Sequence, residues 1–358
     1  MRILFVGGGS VGHLAPCVAV LRTLQGHGEV LAHFLCTERE EDRRYLEAEG
    51  IACTQLPLLR ASLTLPFRYA RARRIAGRAF DAFRPDVVFC KGGAIGIPVC
   101  LEARRREIPI VLHESDAVMG RANRWLSKIA DVVCLGFPEQ QARSTKHEAR
   151  FVVTGNPVRP EVTRGTREEG LRITRLSGMR PILLVIGGSQ GAEALNAAVR
   201  EHIDELLAVC DIIHLTGKGK EGAASRPGYW SVAFAHEELP HLYAIASLAV
   251  SRAGAGSISE LAANGIPAIL VPIRGLAQDH QVANAERLAR SGGARILAQE
   301  ELGMLPQTVR SLIGDRALLA TMSQQMRSLA ASDAASRITG VIARVCRQKN
   351  RQIVQNVS

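Results

Sequence analysis

Long apolar runs are missing from this 358-residue chain. Its apolar stretches, such as residues 244–250 and 266–272, fall well short of the roughly 20 residues a membrane-spanning helix needs. Aromatic residues are scarce at 4%, and Trp125 and Trp230 are the only tryptophans. That argues against recognition of single-stranded nucleic acid by stacking bases on rings. The 8 cysteines, Cys17, Cys36, Cys53, Cys90, Cys100, Cys134, Cys210 and Cys346, are scattered singly. No CxxC pair or Cys/His cluster has zinc spacing, so no metal site is expected, and the thiols read as buried and reduced. A signal peptide is also not expected. Arg2 is followed at once by a short β-like run and a glycine loop, without a long apolar core or a small-residue cleavage site. These features together predict a chain that stays in the cytoplasm.

What is present is a basic, apolar-rich chain. Hydrophobic residues make up 47%, enough for two cores, and the formal net charge is +11. The length suits two domains of ordinary size. The basic balance favours phosphates, nucleic acid or an anionic membrane without choosing among them.

Short apolar runs at 3–6, 30–35, 87–90, 110–113 and 132–135 read as buried strands, separated by helix-like segments such as 15–24 and 98–106. Alternating strands and helices imply βαβ units and a parallel sheet. The pattern restarts at 182–186, with a glycine loop, a helix-like 192–199 and further strands at 212–215, 248–250 and 268–271. Both halves thus open on strand, glycine loop, helix. The expected division is a first Rossmann-like domain over 1–157 and a second over 158–335, with a turn at Gly155-Asn156-Pro157 between them. From about Pro306 the pattern is helical. A terminal helix over 336–358 is expected to return to the first domain and fray at its polar end.

The first loop matches GxGxxG through Gly7, Gly9 and Gly12. Alone it suggests a dinucleotide-binding dehydrogenase, with Glu38 as a ribose acid that lies farther on than the usual spacing. His13 follows the last glycine, where it serves either as a general base or as a capping or packing group. The second loop, Gly187-Gly188-Ser189-Gln190-Gly191-Ala192, suits a diphosphate at a helix N-terminus, or is a plain βα turn. Ser251 to Glu260 follows a buried strand, with small residues leaving room for a ligand. Glu260, early in the next helix, either accepts ribose hydroxyls or complements the helix dipole. Asp279-His280-Gln281-Val282-Ala283-Asn284 reads as a set of sugar-hydroxyl contacts or as a solvated helix start. His113-Glu114-Ser115-Asp116 is a polar cluster at a strand's C-terminal edge, or a cap with ordinary loop polarity. The 56–83 stretch mixes Leu63, Leu65, Phe67, Tyr69 and Ile75 with Arg60, Arg68, Arg71, Arg73, Arg74 and Arg78. It fits an anionic membrane surface, or a solvated amphipathic helix; no nucleic-acid motif supports a third reading.

These segments in order, with Lys91-Gly92-Gly93, Gly120-Arg121-Ala122-Asn123 and Gly155-Asn156-Pro157-Val158-Arg159, resemble the MurG family over roughly residues 1–300. The resemblance implies an α/β GT-B fold, two Rossmann-like domains with parallel sheets facing across a cleft. It implies inverting transfer of N-acetylglucosamine from UDP-GlcNAc to the 4-hydroxyl of the N-acetylmuramyl unit in undecaprenyl-pyrophosphoryl-MurNAc-pentapeptide (lipid I), giving lipid II. No cofactor is implied, and the expected place of work is the cytoplasmic face of the membrane, as a peripheral protein.

Carried over by position, Ser189, Gln190 and Gly191 resemble the residues that hold the UDP diphosphate. Ala255, Gly256, Ser257, Ile258, Ser259 and Glu260 resemble the nucleoside and phosphate pocket, and Arg252 and Gly254 are counted with the substrate-binding residues. Arg159, His280 and Gln281 resemble donor contacts, Gln281 towards the sugar. Ser10, Val11 and Gly12 resemble the loop facing donor and acceptor, and Asp116 and Asn123 polar groups of the first domain. His13 is the candidate base, with Asp116 or Glu114 in reserve. Two departures stand out: Ser10-Val11 where family members usually have Thr-Gly, and His-Glu-Ser-Asp where some have His-Glu-Gln-Asn, which puts a carboxylate at Asp116. The competing readings are another UDP-sugar enzyme of the same architecture, such as a UDP-GlcNAc epimerase, then a nicotinamide dehydrogenase, then a non-enzymatic basic binding protein.

Overall fold

A computed structural model describes the chain except residues 10, 60–63, 139–149, 189–190, 221–222, 276–278 and 358, with residues 11 and 349–357 described by backbone alone. Ser10, Arg60, Leu63, Ser189 and Gln190 thus lie outside the described residues. The chain forms two compact units, Met1–Pro157 together with Ser332–Ser358, and Val158–Ala331.

The first unit is built on a 7-stranded, all-parallel sheet. Its strands are β1 (Arg2–Val6), β2 (Leu31–Thr37), β3 (Cys53–Leu56), β4 (Val87–Cys90), β5 (Ile110–Glu114), β6 (Val132–Leu135) and β7 (Phe151–Val153), in the order 3-2-1-4-5-6-7. The connecting helices are α1 (Val11–Gln25), α2 (Glu40–Ala48), α3 (Leu65–Phe83), α4 (Gly96–Arg105) and α5 (Arg121–Leu126). Central strands such as β4 and β5 are buried along their whole length, as sheets covered on both faces require. Phe5 stacks on Phe34 at 4.7 Å and meets Phe89 edge-on at 5.7 Å. The terminal helix, Ala334–Val357, lays Ile338, Val341, Ile342 and Val345 into this core beside α1.

The second unit repeats the plan with 6 parallel strands. They are β8 (Ile182–Ile186), β9 (Asp211–Leu215), β10 (Tyr229–Val232), β11 (Leu248–Ser251), β12 (Ala268–Leu270) and β13 (Ala294–Ile296), in the order 10-9-8-11-12-13. Its helices are α6 (Arg167–Thr174), α7 (Glu193–Glu201), α8 (Ile203–Leu207), α9 (Leu239–Ile245), α10 (Ala255–Asn264), α11 (His280–Arg290), α12 (Leu305–Gly314) and α13 (Arg316–Leu329). In both sheets the strand order reverses beside the first strand of the unit, between β1 and β4 and between β8 and β11. Such switch points open a crevice at the strands' C-terminal ends.

Four strands carry no long apolar run and are not expected from the sequence: β3, β7, β10 and β13. Each is an edge or near-edge strand of three or four residues with partly exposed side chains. Lacking a buried face on both sides, such strands have no continuous hydrophobic signature.

Candidate active site

In the first unit, the chain leaves β1 at Val6 and turns through Gly7, Gly8 and Gly9 into α1. The turn is clamped from behind. Asp42 on α2 is fully buried, and its Oδ2 accepts from the Gly9 amide at 2.7 Å and from the Thr37 amide and hydroxyl. Arg39 Nη1 donates to the Gly9 carbonyl at 2.6 Å. Gly8 is required by this approach: a Cβ there would lie 2.5 Å from Asp42 Oδ2 and 2.8 Å from the Thr37 amide. A dinucleotide fold offers that amide to a pyrophosphate. Here it is committed to a carboxylate, which would also repel phosphate. Glu38, the proposed ribose acid, instead accepts from the Leu58 amide at 3.2 Å. Both facts count against the dehydrogenase reading.

His13 lies in the first turn of α1, three residues before Pro16. Proline has no amide hydrogen, so the Gly12 carbonyl four residues back receives no helical bond at that point. Val11 begins the helix.

Beside β1, β4 delivers Lys91, Gly92 and Gly93, and β5 delivers His113 and Glu114. Asn123 on α5 joins the two. Its Oδ1 accepts from the Gly93 amide at 3.1 Å and its Nδ2 donates to Glu114 Oε2 at 2.9 Å. A Cβ on Gly92 would sit 2.0 Å from Asn123 Oδ1. Glu114 also accepts from the amides of Asp116 at 3.0 Å and Gly120 at 3.2 Å. Burial, then the neighbouring Asp116 carboxylate, push the Glu114 carboxyl above its ordinary range. With both oxygens engaged, Glu114 shapes the 115–120 loop. Asp116, half-exposed, stands on that loop.

In the second unit, Gly188 and Gly191 take positive φ of 84° and 66°, and the Gly191 amide donates to the Gly188 carbonyl at 2.9 Å. A Cβ on Gly191 would be 2.4 Å from the Thr216 carbonyl and 3.0 Å from Lys220 Cδ. The stem of a lysine therefore lies against this turn. Behind it runs a buried polar chain. Tyr229 Oη pairs with His214 Nδ1 at 2.9 Å, His214 Nε2 with Asn196 Oδ1 at 3.0 Å, and Asn196 Nδ2 donates to the Thr216 carbonyl at 2.8 Å.

After β11, Gly254 caps α10, whose N-terminus has no side-chain cap. The amides of Ala255, Gly256 and Ser257 in its first turn are thus oriented for an anion. Ser259 Oγ turns back to the Ala255 carbonyl at 2.7 Å, and Ile258 is buried. Glu260 is partly exposed, and its Oε2 accepts from Tyr243 Oη at 2.8 Å. Burial raises the Glu260 carboxyl, while the Tyr243 hydroxyl and the Arg159 charge oppose it. Arg252 points elsewhere: Nη1 donates to the Val271 carbonyl at 3.0 Å and Nη2 to Gln299 Oε1 at 2.7 Å. It braces the loop from within the unit. Asn284 does the same through Nδ2 to the Ala253 carbonyl at 3.0 Å. Gln281 Oε1 accepts from the Ile273 amide at 3.2 Å, and His280 heads α11.

The structure thus places His13, Glu114, Asp116 and Asn123 beyond the C-terminal ends of β1 and β5, and Gly191 and Gly254 to Glu260 beyond those of β8 and β11, with the Arg159 charge acting on Glu260 and Gln281 at the start of α11 held to Ile273. Asp42, Tyr243, Asn196 and His214 are not singled out by the sequence, and Lys91 enters there only as part of the Lys91-Gly92-Gly93 motif, without a site role. Asp42 sits in a run of charged residues that looks solvated, and Tyr243 in an apolar one. Neither carries a local signal of its partner.

Residues 3–135 match the glycosyltransferase family 28 N-terminal domain, and residues 182–338 its C-terminal domain. The chain is 36% identical over 350 residues to the UDP-N-acetylglucosamine–N-acetylmuramyl-(pentapeptide) pyrophosphoryl-undecaprenol N-acetylglucosamine transferase of Shouchella clausii, covering 94% of this chain and 97% of that protein. The crystal structure of Acinetobacter baumannii MurG superposes with a TM-score of 0.72 at 28% identity, over 96% of this chain and 99% of that one. A UDP-GlcNAc 2-epimerase from Neisseria meningitidis, at 14% identity and a TM-score of 0.70 over 96% of this chain and all (100%) of that one, shares the fold alone. Two α/β units on parallel sheets, this pair of domain matches and identity of that extent and coverage identify the chain as a GT-B glycosyltransferase belonging to the MurG family.

Proposed function

We propose that the protein transfers N-acetylglucosamine from UDP-GlcNAc to the 4-hydroxyl of the N-acetylmuramyl unit of lipid I, producing lipid II for peptidoglycan synthesis. The observation that carries the donor half is the contrast between the two glycine loops. The second turn packs against a lysine stem, and β11, the strand next to β8, leads into α10, whose N-terminus has no side-chain cap; the first is closed by Asp42. The UDP diphosphate therefore belongs with Gly191 and the first turn of α10, and the ribose with Glu260, held by Tyr243 and flanked by Arg159. Gln281 and His280 face the sugar. Ser189 and Gln190 join the diphosphate set by position.

In the transfer, the bond from the anomeric carbon to the UDP oxygen breaks as the acceptor oxygen attacks from the opposite face, inverting the configuration. Negative charge grows on the leaving diphosphate, and oriented amides and the α10 dipole stabilise it there. His13 takes the proton of the acceptor hydroxyl. Asp116 is the reserve base, Glu114 positions it, and Ser10, Val11, Gly12 and Asn123 complete the acceptor side. Arg252 and Ile258 serve by fixing the α10 loop.

The acceptor is lipid-linked, and α3 suits a membrane. Phe67 is 79% exposed at its start, and Arg71, Arg73, Arg74 and Arg78 are exposed along it. Its acid, Asp81, is paired with Arg106 at 2.6 Å. An apolar tip with a basic face matches an anionic leaflet. Among the described residues no helix is long and apolar enough to cross a membrane, so contact would be peripheral, at the cytoplasmic face.

The test is incubation of the purified protein with radiolabelled UDP-GlcNAc and lipid I in the presence of a chelator, following label into lipid. Transfer is expected. Binding of UDP-GlcNAc without transfer would move the reading to another acceptor, or to the epimerase.

A further inference from the structure

Lys91 is a lysine in a place lysines avoid. It follows the buried strand β4 and is only 3% exposed, where an unbalanced ammonium costs several kcal/mol or more. Its Cβ lies 3.4 Å from where a Gly7 side chain would begin, so it sits under the first glycine loop.

Its hydrogen bonds are specific. His113 Nε2 meets the Gly155 carbonyl at 3.1 Å, and His113 Nδ1 meets Lys91 Nζ at 2.8 Å. A carbonyl only accepts, so Nε2 carries the hydrogen and Nδ1 accepts from the ammonium. His113 is therefore held neutral and in one tautomer. Burial and then the Lys91 charge lower its pKa well below the ordinary value. Lys91 Nζ also bonds Ser115 Oγ, and the Ser115 carbonyl is held by Asn156 Nδ2 at 3.0 Å. Both partners of the ammonium are thus neutral. Cys17, close by, is pushed up to about 12 by burial and stays a thiol. Burial lowers the Lys91 pKa, and the charges that oppose that lowering include those of Glu114 and Asp116. These two acids repel one another, since Asp116 raises the Glu114 carboxyl. Lys91 is thus bonded to Ser115, the residue between Glu114 and Asp116 in the chain.

We propose that Lys91 is a positioning residue for transfer: it fixes Ser115 by hydrogen bonding and supplies the counter-charge that lets the Asp116 carboxylate stand beside Glu114. A carboxylate in place of the amide at that position adds a negative charge to a site that already holds Glu114, and Lys91 balances it. The inference rests on the placement of Asp116 on the acceptor side of the reaction.

The experiment is a double-mutant cycle on the full chain, with lipid I and UDP-GlcNAc as substrates. Lys91→Met removes the charge and the donors at similar volume. It is expected to lower kcat by roughly tenfold to hundredfold, the coupling range for charges in one network. The UDP-GlcNAc Kd should hold within about twofold, because the donor groups lie in the other unit. Asp116→Asn placed on Lys91→Met should cost much less than Asp116→Asn costs alone, because the two side chains act as one unit. A merely structural lysine would give additive losses, and additivity overturns the proposal. Lys91→Met at full activity with Asp116→Asn inactive also overturns it, while leaving the reading of Asp116 intact. Full activity of Asp116→Asn alone removes that reading, and this proposal with it. Should Lys91→Met fail to fold, Lys91→Gln keeps a donor for His113 without the charge. The same kcat loss is then expected, and wild-type kcat overturns the proposal.

Discussion

The two glycine loops share a plan of strand, glycine turn and helix, yet different side chains stand behind them. In the first unit the loop amide is bound by the buried Asp42 carboxylate and the loop carbonyl by Arg39. In the second, the turn packs against the stem of Lys220 and is braced through Thr216 by neutral groups, Asn196, His214 and Tyr229. A loop amide already bound to a carboxylate is not available to a phosphate, whereas the proposed function assigns the phosphates to the second loop. On the proposed function, like backbone plans serve different substrates because of side chains that reach them from other elements.

The largest expected effect separates chemistry from donor binding. His13→Ala in the first unit should slow turnover by roughly 10²- to 10⁴-fold, the usual contribution of a positioned base, with UDP-GlcNAc affinity retained. Glu260→Ala in the second should weaken UDP-GlcNAc binding by roughly tenfold to hundredfold, as loss of a charge-assisted hydrogen bond implies. Steady-state kinetics with calorimetric titration of the donor reads both. A fully active His13→Ala protein removes it as base, and unchanged affinity in Glu260→Ala removes the ribose contact.

A smaller effect probes the brace of the second loop. Burial lowers the His214 pKa to about 4 from 6.5. The unfolded chain therefore binds a proton that the fold excludes between those values. The stabilising contribution is complete above pH 6.5, declines as pH falls and is lost by about pH 4. It is on the order of 3 kcal/mol. Denaturant unfolding at several pH values should show a shallower acid loss in His214→Gln than in the wild type. Equal slopes would mean that His214 is not the titrating brace.

Much of this was legible in the sequence, and the limits are instructive. The runs at 87–90 and 132–135 are observed as strands with those same bounds, because a strand buried on both faces is written as continuous apolar residues. Strands β3, β7, β10 and β13 were not legible, since their side chains are partly exposed. At the site, the glycines and Glu260 announce themselves by position after a strand. Whether a glycine loop is open or closed does not. That depends on Asp42, more than thirty residues from Gly9, and on Lys220, near thirty from Gly191. Arg252 reads as a ligand contact by its motif, yet its guanidinium is turned to Val271 and Gln299. Orientation of a long side chain is set by packing, which local sequence does not encode.

The measurement that tests this division most directly is the UDP-GlcNAc affinity of Gly8→Ala and Gly191→Ala side by side, by calorimetry on the full chain. Both changes push a Cβ into a close backbone or carboxylate contact. Gly191→Ala, at a positive φ, should lose roughly tenfold to hundredfold in affinity from 1–3 kcal/mol of strain. Gly8→Ala should bind the donor as the wild type does while its transfer rate falls. Equal weakening of donor binding by the two changes would contradict the account, because the first loop would then also hold the nucleotide.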